Sequence, residues 1–210
     1  MCFTKIDMKT WPRKDCFTHF MNIAKSTYSM TVDMDVTNVV KYVKKNEMRF
    51  YPVFTWIVSN AVNQQKEFRM GYDEHNNLGY YENINPDYAV IDKETNIMDS
   101  LCTTYQDDLE KFYHNMLADM DNYDKEKKHT KPVNNFFIVS CIPWITYSSF
   151  MVSNESEYQF LFPMVTWGKY YECNGKIIMP VTLQIHHAVA DGYHCAKFYE
   201  DIEKMIRQFT

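Results

Sequence analysis

One stretch constrains the fold more than any other. Ile177–Ile178–Met179–Pro180–Val181–Thr182–Leu183 runs directly into Gln184–Ile185–His186–His187–Ala188–Val189–Ala190–Asp191–Gly192–Tyr193–His194. The first seven residues alternate poorly and are rich in branched side chains, the pattern of a largely buried strand. Three histidines and one aspartate then fall where the strand ends and a turn begins, a common seat for a reactive group on a rigid support. Gly192 is one of only five glycines. It predicts a tight turn, or a backbone that something approaches closely. Helical spacing resumes at Phe198, Ile202, Met205, Ile206 and Phe209, one face of a C-terminal helix.

Upstream, Tyr28, Met30, Val32, Met34 and Val36 alternate with Ser29, Thr31, Asp33 and Asp35, the clearest strand with one wet face. Residues 11–23 read as a helix before it, with Thr10 as cap and Pro12 in the first turn. Thr37 is expected to cap a second helix and Pro52 to open a third, strongly apolar one. Phe68–Tyr72 and Leu78–Tyr81 flank a hairpin loop. Tyr88–Ile91 reads as a short strand, and Thr104–Tyr123 as a long helix with Leu109, Phe112, Tyr113, Met116, Leu117 and Met120 in its stripe. Asp124–Asn135 is charged and reads as a surface loop. The second half is mostly strand: Phe136–Ser140, Tyr158–Thr166 and Ile177–Ile185, with Asn174–Gly175 as a turn. Helices and strands mix irregularly and several strands are joined by short turns. That favours a single α+β domain over residues 1–210, with a mixed β-sheet flanked by helices.

The 210 residues are ample for a sizeable core. A net charge of −5 offers no electrostatic reason for nucleic acid or anionic membrane as a partner. No apolar run approaches a membrane span, and the N-terminus lacks the apolar stretch of a signal peptide. Six scattered cysteines without a Cys-x-x-Cys pair read as free thiols in a reducing cytoplasm. The aromatic content of 16% fits either core packing or an aromatic-lined pocket.

The pattern His187-x-x-x-Asp191-Gly192 resembles the signature of coenzyme-A-dependent acyltransferases. The segment His186–Val189 with Asp191–His194 is similar to the active-site segment of the chloramphenicol acetyltransferase family. The likeness extends from Trp11 to Phe198. It includes Trp11-x-Arg13, Phe50–Tyr51–Pro52, Glu67–Phe68–Arg69, Ser140 with Pro143–Trp144, and Thr166–Trp167–Gly168–Lys169–Tyr170. The resemblance implies a two-layer sandwich, antibiotic inactivation by O-acetylation of chloramphenicol or a similar aromatic alcohol, acetyl-CoA as cosubstrate, no metal, and a homotrimer with sites at subunit interfaces.

Moving an acetyl group from a thioester to a hydroxyl needs a base, an oxyanion donor and exclusion of water. Imidazole suits the first task near neutrality. By the resemblance His187 is that base, since it and not His186 stands four residues before Asp191. His186 is expected on the other face of the strand, hydrogen-bonded in the core. Ser140 is the implied oxyanion donor, and Thr166 the implied holder of an ordered water. Asp191 could orient His187 as a triad carboxylate; the family implies instead that it pairs with Arg13 and shapes the site backbone. Lys169, Tyr170 and Arg49 are implied at the coenzyme A end, against an ordinary solvated surface. Phe20, Tyr28, Met98, Phe150 and Val152 are implied in the acceptor pocket, against plain core packing.

Three departures bear on the acceptor. Ile138 stands where some relatives carry Asn, Ser26 where many carry Cys, and Ala24 is smaller than some counterparts. Competing readings are a dihydrolipoamide acyltransferase catalytic domain, a metal-dependent hydrolase built on His186, His187, Asp191 and His194, and a silent ligand-binding relative. Adjacent strand histidines point to opposite faces, which argues against a shared metal.

Overall fold

The long strand Ile177–Ile185 of the sequence reading is the axis of the structure, a computed structural model that describes residues 2–127, 129–130, 133–153 and 160–210. In chain order the elements are β1 (Phe3–Lys5), α1 (Lys14–Asn22), β2 (Thr27–Asp35), α2 (Thr37–Lys45), α3 (Phe50–Asn63), β3 (Met70–Tyr72), β4 (Leu78–Tyr81), β5 (Asn85–Ile91), β6 (Met98–Cys102), α4 (Leu109–Glu126), β7 (Phe136–Ile142), β8 (Met164–Gly168), β9 (Tyr171–Cys173), β10 (Lys176–His186) and α5 (Gly192–Ile206). The main sheet runs β2-β10-β8-β7-β5-β6, with β9 also paired to β10. The β5–β7 and β7–β8 pairs are parallel and the others antiparallel, so the sheet is mixed. A second sheet, β1-β4-β3, stands apart.

Register assigns each strand residue to a face. Ser140, Thr166, Thr182 and Thr31 lie in one row across β7, β8, β10 and β2. Ile138, Met164, Gln184 and Ser29 form the next row on that face. The intervening residues Val139, Val165 and Leu183 point the other way and are almost completely buried, which makes that side the core face. Helix α3 is apolar nearly all round and buries Pro52 through Val62 except Trp56, as expected for a helix enclosed by the sheet and by α2, α4 and α5. Phe54, Trp167 and Tyr88 are among the largest fully buried side chains there. The α+β reading with a mixed sheet therefore holds.

Several boundaries differ from the sequence reading, each for a local reason. Helix α1 starts at Lys14, because Asp7–Trp11 form turns of their own and Thr10 bonds Asp7 instead of capping. Thr37 lies inside α2; the Asp35 carboxylate accepts from both its backbone N–H and its hydroxyl. Helix α4 begins at Leu109, where Asp108 Oδ1 accepts the Lys111 N–H at 2.8 Å. The strand expected over Tyr158–Thr166 begins only at Met164; residues 158 and 159 lie outside the described residues. The charged stretch after α4 is a loop where it is described, although Asp124–Glu126 still belong to the helix. Asn174 and Gly175, with φ of 50° and 76°, form the expected hairpin turn. Gly192 is not needed for the reasons anticipated. Its φ is not positive, and a Cβ added there would meet nothing within 4 Å.

Candidate active site

The turn after β10 is built around its backbone. His187 N–H donates to Ser26 O at 2.8 Å, while Val189 N–H and Ala190 N–H fold back onto His186 O. Arg13, just before α1, closes the turn from outside with three donors. Nη1 reaches Asp191 Oδ2 at 2.8 Å, Nε reaches Ala188 O at 3.0 Å, and Nη2 reaches His187 O at 3.1 Å. Asp191 thus binds the arginine that holds the His187 carbonyl; its carboxylate oxygens pair with Arg13 and His194. Its geometry is that of the structural pair and not of a triad. Burial raises the Asp191 carboxyl, but the hydrogen bond from Arg13 and the neighbouring His194 outweigh it and hold it below the ordinary carboxylate range. His194 Nδ1 lies 2.8 Å from Asp191 Oδ1. The sequence reading assigned His194 only to a metal site. Its position three residues into α5, after an aspartate at the N-cap, was the signal for this contact.

The His187 ring is oriented on three sides. Phe20 of α1 stacks on it with centroids 3.8 Å apart and planes 13° apart. Tyr28 of β2 meets it edge-on at 5.0 Å. Its Nδ1 lies 3.1 Å from Ala190 O. A carbonyl only accepts, so a proton sits on Nδ1, and the neutral form of the ring has its free lone pair on Nε2. Tyr28 donates to the same carbonyl at 3.4 Å and contacts Cys195 Sγ at 3.2 Å. Burial drives the Tyr28 phenol far up, so it stays a neutral donor. The Ala190 carbonyl and the Ser26 backbone were not foreseen; backbone groups leave no mark in a residue pattern.

His186 points away from His187, as expected, and is 2% exposed. The expectation that it is satisfied in the core holds for one nitrogen. Nδ1 accepts the Ala188 N–H at 3.1 Å, while Nε2 is buried without a partner among the described residues.

The other site residues gather elsewhere. Ser140 and Thr166 are adjacent on β7 and β8. The Thr166 hydroxyl is buried with no hydrogen-bond partner among the described residues. Tyr147 crosses this face and donates to Thr166 O at 2.8 Å. Arg49, Lys169 and Tyr170 are exposed near one another, with Phe50 against Tyr170 at 5.6 Å. Phe150 packs against Tyr147, and Val152 is held over the face by Gln184. Met98 lies on β6, the far edge of the sheet, and is 67% exposed. Ser26 and Ala24 sit on the turn between α1 and β2, where the Ser26 hydroxyl donates to Ala24 O.

Phe20, Tyr28, Arg13 and Asp191 therefore surround His187, while Ser140, Thr166, Phe150, Val152 and the coenzyme A candidates do not. Thr182, level with Ser140, precedes His187 by five residues, and Ser140 lies two strands across. The separation is on the order of 19 Å from strand rise and spacing.

Residues 1–203 match the family model described as chloramphenicol acetyltransferase. A chloramphenicol acetyltransferase of Clostridium butyricum is 36% identical over 100% of this chain and 97% of its own length. One from Vibrio anguillarum is 37% identical over 99% of this chain and 95% of its own. The chain belongs to the chloramphenicol acetyltransferase family. It is accordingly an acetyl-CoA-dependent acetyltransferase. A solved chloramphenicol acetyltransferase shares the fold with a TM-score of 0.87 at 22% identity, covering 98% of this chain and 100% of that one. A probable dihydrolipoamide acetyltransferase of Listeria monocytogenes also shares the fold, with a TM-score of 0.68 at 13% identity over 99% of this chain and 95% of that one. Among the described residues no helix is long and apolar enough to cross a membrane. All six cysteines are free thiols.

Proposed function

We propose that this chain transfers the acetyl group of acetyl-CoA to a hydroxyl of chloramphenicol or a similar aromatic alcohol, with His187 as general base. The observation that carries this reading is the contact of His187 Nδ1 with Ala190 O at 3.1 Å. Its Nδ1 proton is committed to Ala190 O, so Nε2 is the nitrogen able to accept a proton. As Nε2 takes the hydroxyl proton, the oxygen attacks the thioester carbonyl. The Ser140 hydroxyl donates to the resulting oxyanion, and a water on Thr166 lies beside it. Collapse expels the coenzyme A thiolate, which recovers the proton from His187, and leaves the O-acetyl ester. Lys169, Tyr170 and Arg49 serve the nucleotide end of the cosubstrate, and Phe20, Tyr28, Met98, Phe150 and Val152 the acceptor.

The gap of about 19 Å within one chain, from strand rise and spacing, supports a site assembled between copies. His187 of one subunit would face Ser140 and Thr166 of its neighbour in a homotrimer, and exposed Met98 and Val152 fit such an arrangement. The enzyme works in the cytoplasm, where acetyl-CoA and free thiols coexist.

The test is release of free thiol from acetyl-CoA with chloramphenicol, followed by a panel of other hydroxylated compounds. Acceptor-dependent release with one acetyl ester formed per thiol is expected. Silence toward every alcohol, with saturable binding of one of them, would convert the reading to a ligand-binding relative.

A further inference from the structure

The polar face of the sheet holds a cavity of about 250 Å³ near the Ser140–Thr166 row. Its lining includes Ile138, Val152, Phe160, Met164, Gln184 and His186. Ile138 and Met164 each stand two residues before Ser140 and Thr166 on the same strand face. That offset is one pleat repeat, roughly 7 Å. An alcohol whose hydroxyl lay at Ser140 would extend its body into this space. Ile138, Phe160 and Met164 suit an apolar or aromatic part of that body, and Thr27, Ser153 and Gln184 make the remaining wall polar. Gln184 fixes one wall by pairing with Val152 as a strand would: its amide accepts the Val152 N–H at 2.9 Å and donates to Val152 O at 2.8 Å.

His186 lines this cavity, and its Nε2 is a buried polar atom left without a partner among the described residues. Desolvation, helped by the neighbouring His187, lowers the basicity of His186, so the ring is neutral at neutral pH. A neutral ring whose Nδ1 accepts the Ala188 N–H must carry its proton on Nε2. The result is a buried N–H with no acceptor in the described chain. Such a group is costly unless a water or a ligand completes it.

We propose that His186 is a specificity residue for the acceptor: its Nε2–H donates to a hydrogen-bond-accepting oxygen, of the carbonyl, nitro or ether class, on the body of the alcohol occupying this cavity. This deepens the acetyl-transfer reading and rests on it. The two histidines then divide the work. For one bound alcohol, His187 of the neighbouring subunit takes the proton of the reacting hydroxyl, and His186 of the subunit that supplies Ser140 reads a second oxygen farther along the same molecule.

Two substitutions separate the two nitrogens of the ring. His186→Asn offers an acceptor where Nδ1 lies and removes the far donor. His186→Gln offers a donor where Nε2 lies and removes the bond to the Ala188 N–H. With the best acceptor of the alcohol panel, His186→Asn is expected to raise the acceptor KM about tenfold, leaving kcat and the acetyl-CoA KM within about twofold. His186→Gln is expected to keep a near-normal acceptor KM at a lowered melting temperature. A normal acceptor KM in His186→Asn, with wild type active, overturns this inference alone and leaves Nε2 to an ordered water. A fall in kcat equal for both variants, without a change in acceptor KM, makes His186 purely structural. Wild type inert toward every alcohol overturns the acetyl-transfer reading and this inference together.

Discussion

The turn around His187 and the sheet face around Ser140 are built in opposite ways. At the turn, three Arg13 donors, the Ser26 carbonyl, the Ala190 carbonyl and two aromatic rings hold a single imidazole. On the sheet face the Thr166 hydroxyl and His186 Nε2 are buried without partners among the described residues. The first region commits its polar groups to its own shape; the second leaves two without partners among the described residues, which is what the proposed binding role rests on. A base must be held in one orientation and tautomer, whereas a binding surface must leave donors uncommitted. A separation of about 19 Å between the regions, from strand rise and spacing, is what the proposal of a site shared between chains rests on.

The largest effect belongs to the imidazole. His187→Ala is expected to lower kcat by about 10³-fold or more, with a melting temperature lowered by only a few degrees, since the ring's bond to Ala190 O and its stack on Phe20 are lost while the Arg13 bonds and the His187 N–H bond that hold the turn remain. Near-normal turnover would break the comparison at its first term. Arg13→Ala removes the charge from Asp191 and two donors from the turn. Both partners are partly exposed, so the loss is about 2 kcal/mol, or roughly 4–8 °C in melting temperature, together with a lowered kcat. A variant that loses rate and not stability would mean that Arg13 touches substrate instead of shaping the turn.

Thr166→Val separates the regions in the other direction. Removing an unpaired buried hydroxyl at constant shape is expected to leave the melting temperature unchanged or raised, while kcat falls severalfold. A destabilised variant would mean that the hydroxyl has a structural partner.

The smallest effect is on pH dependence. The folded state lowers the pKa of His186, so the unfolded chain binds more protons below about pH 6.5 and stability falls there as pH falls. The depressed carboxyl of Asp191 contributes stability above its unfolded value near pH 4, and this is lost on further acidification. Urea unfolding between pH 5 and 7.5 is expected to show the first slope in wild type and a flatter one in His186→Asn.

Much of this was legible in the residues, and the misses share causes. The alternation of Tyr28–Val36 and the apolar run before His186 reported β2 and β10, because each has a consistently buried face. Strands β1, β6 and β9 went unseen; each has three to five residues, and their exposed polar positions give no periodicity. The Arg13–Asp191 contact came from a resemblance, since 178 positions separate the two and no local pattern links them. The orphaned nitrogen of His186 could not be read at all. A sequence shows that a histidine is present, and only packing shows which of its nitrogens is left without a partner.

The most direct test of a site divided between chains is complementation. His187→Ala and Ser140→Ala are each inactive in different halves, and co-expression lets their subunits mix. In randomly mixed trimers three of four assemblies contain both variants, and each of these carries one interface with an intact His187 facing an intact Ser140. About a quarter of wild-type activity is therefore expected from the mixture. Activity no greater than that of the two variants purified apart would contradict the account.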